Sequence, residues 1–133
     1  MLPTQNRLRR NQDFSVIYRR GIRKNTSNLA LRALPHQQKQ NLAVDTLQSP
    51  GPTRIGISIS KKVSKGAVVR NRIKRQIRAA LRQMLPYILP GWDVVIVVKP
   101  TAQMCNYDEF LQQLEKLLAQ AEVLDGYSRR NLL

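Results

Sequence analysis

The sequence is poor in the residues that build most protein active sites and covalent cross-links. It contains one cysteine, Cys105, and one histidine, His36. A single cysteine excludes an internal disulfide and any zinc site made of several cysteines. Because there is a single histidine, histidine-based metal clusters and catalytic triads are not expected. We therefore expect a reduced, cytoplasmic protein in which His36 is a surface residue without chemistry.

Long hydrophobic runs are also missing. The longest apolar run, Val94 to Val98, has the length of a strand, whereas about 18 to 20 residues are needed to span a bilayer. The basic N-terminus, MLPTQNRLRR, is not followed by an apolar stretch and therefore does not resemble a secretory signal. We expect no membrane partner, and a basic protein of the membrane surface is only the weaker alternative.

Acidic residues are scarce relative to basic ones. The 133 residues include 8 Asp and Glu against 23 Lys and Arg, which gives a net charge of +15. Hydrophobic residues make up 42% of the chain, enough for one domain with a modest core. A compact domain with this excess of positive charge repels itself, so a polyanionic partner is expected, most commonly a nucleic acid.

The hydrophobic pattern predicts a small α+β protein, a two-layer α/β sandwich. Period-2 alternation and apolar runs predict three strands, and helical spacing predicts three helices. The predicted order is a helix from Asn11 to Gly21, strands at residues 29–34 and 54–60, a helix at 65–85, a strand at 92–98 and a helix at 107–123, with one further short strand allowed.

The regions between and after these elements complete a single domain over residues 1–133. A polar segment of about residues 36–53 is predicted to be a long flexible loop, because it is rich in Gln, Asn, Ser and Pro. The last residues, about 124–133, are expected to form a disordered tail. On the strand at 54–60, Ile55, Ile57 and Ile59 share one face, and the other face carries small residues.

The predicted helix at 65–85 lies in the most cationic part of the chain. Between Asp45 and Asp93 there are ten basic residues and no acidic one. At 100° per residue, an apolar stripe lies on one side of the helix and a cationic one on the other. The apolar stripe comprises Val69, Ile73, Ile77, Ala80 and Met84; the cationic side comprises Asn71, Lys74, Arg75, Arg78 and Arg82, flanked by Arg70 and Arg72.

The alternative interpretation of the cationic side is an ordinary solvated surface helix, but the charge pattern differs from that of such helices. Solvated helices usually place Glu and Lys four residues apart, where they attract each other. Here Arg70, Lys74 and Arg78 repeat at that spacing without a carboxylate, so an external anion is expected. Arginine suits phosphate because it donates two parallel hydrogen bonds. A strand follows the helix, unlike the order in a helix-turn-helix protein, and this favours structured RNA over DNA.

The same segment carries a family resemblance. Residues 61–78, KKVSKGAVVRNRIKRQIR, resemble the Arg-Asn-Arg signature of the bacterial ribonuclease P protein family. The flanking segments NRLR (6–9), RIGISIS (54–60) and DVVIVVKP (93–100) are similar to that family as well, and the resemblance covers about residues 5–120. The chain departs from the pattern in its long loop, at Arg32, where an aromatic residue is common, and at Ala79, where an acidic one is frequent.

The resemblance implies a fold and a function. The fold is that of the second domain of ribosomal protein S5, with a mixed sheet and a left-handed β–α–β crossover, against the general right-handed rule. The function is that of the protein subunit of ribonuclease P, a ribonucleoprotein endonuclease that removes the 5′ leader from precursor tRNA. Catalysis then belongs to the RNA subunit and its Mg²⁺ ions, and the protein, a monomer outside the ribonucleoprotein, has no catalytic residues and holds no metal itself.

The resemblance also assigns residues to two RNA-binding sites. Contact with the catalytic RNA is expected from Lys61, Lys62, Lys65, Arg70, Asn71, Arg72, Lys74, Arg75 and Arg78, with a hydrated Mg²⁺ ion expected, if anywhere on the protein, near Asn71. The cleft for the substrate leader is expected to comprise Phe14, Tyr18, Arg32, Ser58 and Ser60.

The residues alone leave two other functions to consider. A ribosomal protein would have the same size and charge. A nuclease with its own two-metal site needs clustered carboxylates, but four of the eight acids lie on the final helix and none in the basic segment.

Overall fold

The computed structural model describes residues 2–8, 11–36 and 51–124, without the side chains of residues 4 and 11–13. It contains three α-helices and four strands in these ranges. They are α1 (Asn11–Arg20), β1 (Ile22–Asn25), β2 (Leu29–Pro35), β3 (Arg54–Ser58), α2 (Ala67–Met84), β4 (Trp92–Val98) and α3 (Tyr107–Gln120). Short 3₁₀ turns lie at Thr4–Asn6, Leu85–Tyr87 and Pro100–Met104.

The four strands form one mixed sheet in the order β1-β2-β4-β3. β1 and β2 form an antiparallel hairpin, β2 runs antiparallel to β4, and β3 runs parallel to β4. Because β3 and β4 are parallel, the chain must cross over between them, and α2 makes this connection. The predicted α+β class is confirmed; the left-handed sense of the crossover stays a prediction.

The main core lies between one face of the sheet and the helices α2 and α3. The apolar stripe predicted for α2 packs here: its last four members are buried, and Val69 packs at the margin. Leu81, which the stripe did not include, is buried as well. From α3, the core receives Phe110, Leu114, Leu117 and Leu118 at helical spacing.

A second, smaller cluster lies on the opposite face of the sheet, under α1. It comprises Leu8, Ile17, Leu34 and Val95. β4 is therefore covered on both faces, as its unbroken apolar run predicts. The fold consists of two layers with one additional helix, α1, on the second face of the sheet.

The ends of several elements differ from the prediction. β3 stops at Ser58 instead of Ser60, and α2 begins at Ala67 instead of Lys65. α3 ends at Gln120, and Glu122 follows with a left-handed backbone (φ 61°). Leu124 is buried and pairs with Ile88, so it belongs to the domain. The rest of the predicted tail, 125–133, and residues 37–50 of the predicted loop lie outside the described residues.

Candidate RNA interface

The exposed side of α2 is a continuous cationic surface, which we call the ridge. It consists of the predicted residues Arg70, Asn71, Arg72, Lys74, Arg75, Arg78 and Arg82. Asn71, Arg72, Arg75 and Arg82 are exposed, and the others are half-buried at its flank. The ridge exists because the opposite side of the same helix is fixed against the sheet by its apolar residues.

Two arginines of the ridge are anchored to neighbouring backbone. Nη1 of Arg70 donates to the carbonyl oxygens of Ser64 and Lys65, at 2.8 and 2.9 Å. Nη2 of Arg72 donates to the carbonyl oxygen of Gln103 at 3.3 Å. A guanidinium group has five N–H donors, so each arginine keeps donors for a ligand while these contacts limit its motion.

The segment before α2 continues the cationic surface. Lys61, Lys62 and Lys65 are exposed there. The N-cap residue Gly66 provides no side-chain cap, and the first turn of α2 contains no acidic residue. The positive end of the helix dipole therefore lies beside three lysines, an arrangement that attracts phosphate.

The predicted leader cleft lies on the other face of the sheet, beside α1. Gly56 and Arg32 both pair with Val95, so they lie in one row across the strands. Phe14 lies directly over Gly56: a Cβ atom at that glycine would be only 2.5 Å from Phe14 Cζ. The guanidinium carbon of Arg32 lies 5.5 Å from the centre of the Tyr18 ring, in a cation–π arrangement.

The two serines assigned to the cleft have different positions. Ser58 is half-buried and lies on the same side of β3 as Gly56, because strand residues two apart share a face. Ser60 lies beyond the end of β3, where its Oγ accepts a hydrogen bond from the Lys62 backbone N–H at 3.2 Å. Ser60 is thus part of the turn before α2, and its placement on the strand face was wrong.

A cavity of about 350 Å³ at the edge of β3 was not predicted. It places Arg78 of the ridge close to Phe14 of the cleft, together with Arg7 from the N-terminal segment. Arg7 is held there by a hydrogen bond from its Nε to the carbonyl oxygen of Leu2, at 2.8 Å. Phe14 and Arg7 precede Arg78 by at least 64 positions in the sequence. A local sequence pattern therefore could not have indicated the cavity.

A buried ion pair at the base of the long loop was also missed. Asp93 is fully buried and receives hydrogen bonds from Nε and Nη2 of Arg54, at 2.9 and 2.7 Å. Nε2 of His36 lies 2.9 Å from the same carboxylate. His36 is therefore half-buried against Asp93, so its expected place at the surface was wrong.

Cys105 lies buried just before α3. Burial, and secondarily the charge of Glu109, raises the pKa of the Cys105 thiol, which disfavours its thiolate form. Within the described ranges, no three His, Cys, Asp or Glu side chains come together as a metal site. Nor is any helix in these ranges both long and apolar enough to cross a membrane.

A mixed sheet that carries one amphipathic, strongly cationic helix defines a small basic protein suited to a polyanionic ligand. The Ribonuclease P family model matches residues 2–122. The chain belongs to this family, and thus to the proteins of a tRNA-processing nuclease complex.

Individual relatives support this assignment, because their similarity to the chain extends over nearly their whole length. The chain is 58% identical to the ribonuclease P protein component of a Cyanothece species, over 96% of this chain and 100% of the relative. It is 50% identical to that of Trichormus variabilis, over 96% and 99%. The RNase P protein of Staphylococcus aureus has a similar structure, with a TM-score of 0.73 at 26% identity over 90% of this chain and 98% of that one.

Proposed function

We propose that this chain binds the catalytic RNA of ribonuclease P through the ridge and binds the 5′ leader of precursor tRNA in the cleft beside α1. The observation that carries the proposal is the two-sided character of α2. Its apolar side is buried in the main core, and its other side presents cations at i, i+4 spacing without a carboxylate. This repulsion is relieved when RNA phosphates lie against the ridge.

Two separate sites fit a subunit that must hold two RNA segments at once. The ridge belongs to the layer of α2 and α3, whereas Tyr18 and Arg32 lie on the opposite face of the sheet. In this arrangement the catalytic RNA meets one face of the protein and the single-stranded leader meets the other. The cavity at the edge of β3 lies between the two sites.

We assign the chemical step to the RNA and its Mg²⁺ ions. The buried carboxylate of Asp93 is already paired with Arg54 and His36, and two acids of α3, Asp108 and Glu109, lie in the first turn of that helix. Asn71 is exposed on the ridge, and its neutral amide suits contact with a metal-bound water better than direct coordination. The protein would then contribute binding and orientation, acting as a monomeric, cytoplasmic subunit.

The family assignment also separates this proposal from the ribosomal alternative. Size and charge fit both equally, but a ribosomal protein has no reason to match the Ribonuclease P family model over residues 2–122. The two functions differ in the RNA that the ridge contacts.

Site-directed cross-linking tests which RNA meets which site. Cys105 is the only cysteine, so its replacement, Cys105→Ala, allows a single photoreactive group to be attached elsewhere. The variants are Asn71→Cys on the ridge, Ser58→Cys in the cleft and, as a matched control, Lys116→Cys on the exposed side of α3. Each is assembled with the catalytic RNA and a precursor tRNA.

The proposal predicts a different product for each variant. The group at position 71 should cross-link to the catalytic RNA, and the group at position 58 should cross-link to the leader. The control at position 116 should give neither product in comparable yield. Cross-links from position 71 to the leader, or from position 58 to the catalytic RNA alone, would contradict the assignment of the two sites.

A further inference from the structure

One part of the cleft carries positive charge that has no acidic partner among the described residues. Arg23 on β1 and Arg32 on β2 are direct cross-strand partners, so their side chains leave the sheet on the same face. Like charges in this position destabilise a strand pair. Among the ion pairs of the described residues, neither arginine has an acidic partner.

The side chain of Arg32 is oriented but incompletely hydrogen-bonded. Its guanidinium group lies over the Tyr18 ring, and the side chain is half-buried. Within the described part of the chain, the buried Nε–H of Arg32 has no hydrogen-bond partner. A buried donor without an acceptor is unfavourable, so this group is stabilised when an acceptor enters beside Tyr18.

The hairpin that carries both arginines is held in place from its turn. Oγ1 of Thr26 donates to Oε1 of Gln113 on α3 at 2.7 Å, and Nζ of Lys99 donates to the Thr26 carbonyl oxygen at 2.6 Å. Nδ2 of Asn28 donates to Oγ1 of Thr101 at 2.9 Å. The backbone that carries Arg23 and Arg32 is thus positioned before a ligand binds, which lowers the entropic cost of binding.

We propose that Arg23 and Arg32 together bind one backbone phosphate of the RNA leader that enters the cleft beside Tyr18. The proposal rests on the proposed function, since it presumes that the leader occupies this cleft. A phosphate accepts the forked hydrogen bonds of a guanidinium group and neutralises the two like charges. One side of the Tyr18 ring is occupied by Arg32, so a base can stack only on the other side.

This site makes the contribution of Arg32 independent of the leader sequence. Phosphate contacts position a strand and do not distinguish bases. They also make affinity fall with salt, with a log–log slope of about 0.7 for each phosphate contacted on a single strand. A base-specific contact by Arg32 would instead depend on the leader sequence and would change little with salt.

The test measures the affinity of the assembled holoenzyme for precursor tRNA and for mature tRNA, as a function of salt. The variants are Arg32→Gln, Arg32→Lys and Arg23→Gln, with Lys116→Gln as the control that removes one charge on the far layer. Leaders with a single neutral methylphosphonate linkage are compared position by position. Arg23 is exposed, so Arg23→Gln still tests the site if Arg32→Gln does not fold.

The site predicts one sensitive leader position. In the wild-type enzyme, the neutral linkage there should weaken precursor binding by about tenfold, as expected for a lost charge-assisted hydrogen bond. Arg32→Gln should weaken precursor binding, lower the salt slope by up to about 0.7 and reduce the sensitivity to that linkage, since Arg23 alone still contacts the phosphate. Arg23→Gln should act in the same direction, and Arg32→Lys should keep the slope with weaker affinity.

Failure of this proposal differs from failure of the proposed function. If wild-type enzyme prefers precursor to mature tRNA but Arg32→Gln and Arg23→Gln keep the full linkage sensitivity and salt slope, the phosphate site is wrong and the cleft assignment stands. If the wild-type protein confers no preference for the leader, both are wrong. A loss that is equal for precursor and mature tRNA would likewise overturn the phosphate site.

Discussion

At the scale of single residues, the two aromatic side chains of α1 have different surroundings. Phe14 lies over Gly56 and packs against the smaller hydrophobic cluster. Tyr18 lies against the charged group of Arg32. Phe14 therefore acts first as a packing residue that closes one end of the cleft, whereas Tyr18 borders the part that carries the charge.

The contact between Phe14 and Gly56 can be tested by a pair of substitutions. Gly56→Ala should lower the free energy of unfolding by about 1–3 kcal/mol, the usual cost of overpacking, because the added Cβ overlaps the Phe14 ring. Phe14→Leu in the same chain should recover part of this loss, since the smaller side chain makes room. Denaturant unfolding of the single and double variants measures the coupling; additive losses would show that the two residues are independent.

Tyr18→Ala tests the role of the cleft in binding the leader. Loss of one base–aromatic stack should weaken binding of leader-bearing precursor tRNA by about tenfold, with a much smaller effect on mature tRNA. Both affinities are measured with the assembled enzyme. Equal losses for the two RNAs would indicate that Tyr18 has only a packing role.

The residue-level contacts were the least predictable part of the molecule. The pairing of Asp93 with His36 and Arg54 joins residues 57 and 39 positions apart, and it follows from the register of β3 beside β4. A sequence pattern reports spacing along one element and contains no register between elements. Ser60 was misplaced for a related reason: the alternation of residues 54–60 continues past the point where pairing with β4 ends.

At the scale of elements, α2 and α3 are stabilised in different ways. α3 begins with a capping box in which Asn106 and Glu109 bond each other's backbone, and two acids lie in its first turn. α2 has no side-chain cap and no acid in its first turn. It is stabilised chiefly by the packing of its apolar side. Its uncapped N-terminus and its ridge are therefore available to bind an external anion.

Arg72→Ala tests the ridge as a phosphate-binding element. It should weaken binding of the catalytic RNA and reduce the log–log salt slope by about 0.7–0.9, the value for one phosphate contact. Lys116→Ala on α3 removes the same charge and should leave the slope unchanged. The salt slopes of the two variants are obtained from the affinity at several salt concentrations. A slope unaffected by Arg72→Ala would show that Arg72 is only a solvated charge.

The helices and strands themselves were largely predictable. Five apolar positions with helical spacing identified the buried side of α2 and, by exclusion, its ridge, because a helix on a sheet has one face for each environment. The apolar run at 92–98 identified β4 as an interior strand. The remaining errors lie at element ends, such as the start of α2 at Ala67, where hydrophobic periodicity carries little information.

At the scale of the whole molecule, the net charge is +15, and the described residues place cationic surfaces on both faces of the sheet. One cationic surface, the ridge, belongs to the layer of α2 and α3. The other, Arg23 and Arg32, lies on the face that carries α1. The sequence indicated the first surface through a segment with ten basic residues and no acidic one, whereas the second depends on strand pairing.

The most direct test of the account is leader cleavage by the catalytic RNA at a magnesium concentration where the RNA alone is slow. The wild-type protein should restore rapid cleavage at low protein concentration. A variant with Arg72, Arg75 and Arg82 all replaced by Gln keeps the buried side of α2 intact, since these three residues are exposed. It should need about 100-fold more protein for the same rate, because three phosphate contacts are lost. No stimulation by the wild-type protein, or equal stimulation by this variant at equal concentration, would contradict the account.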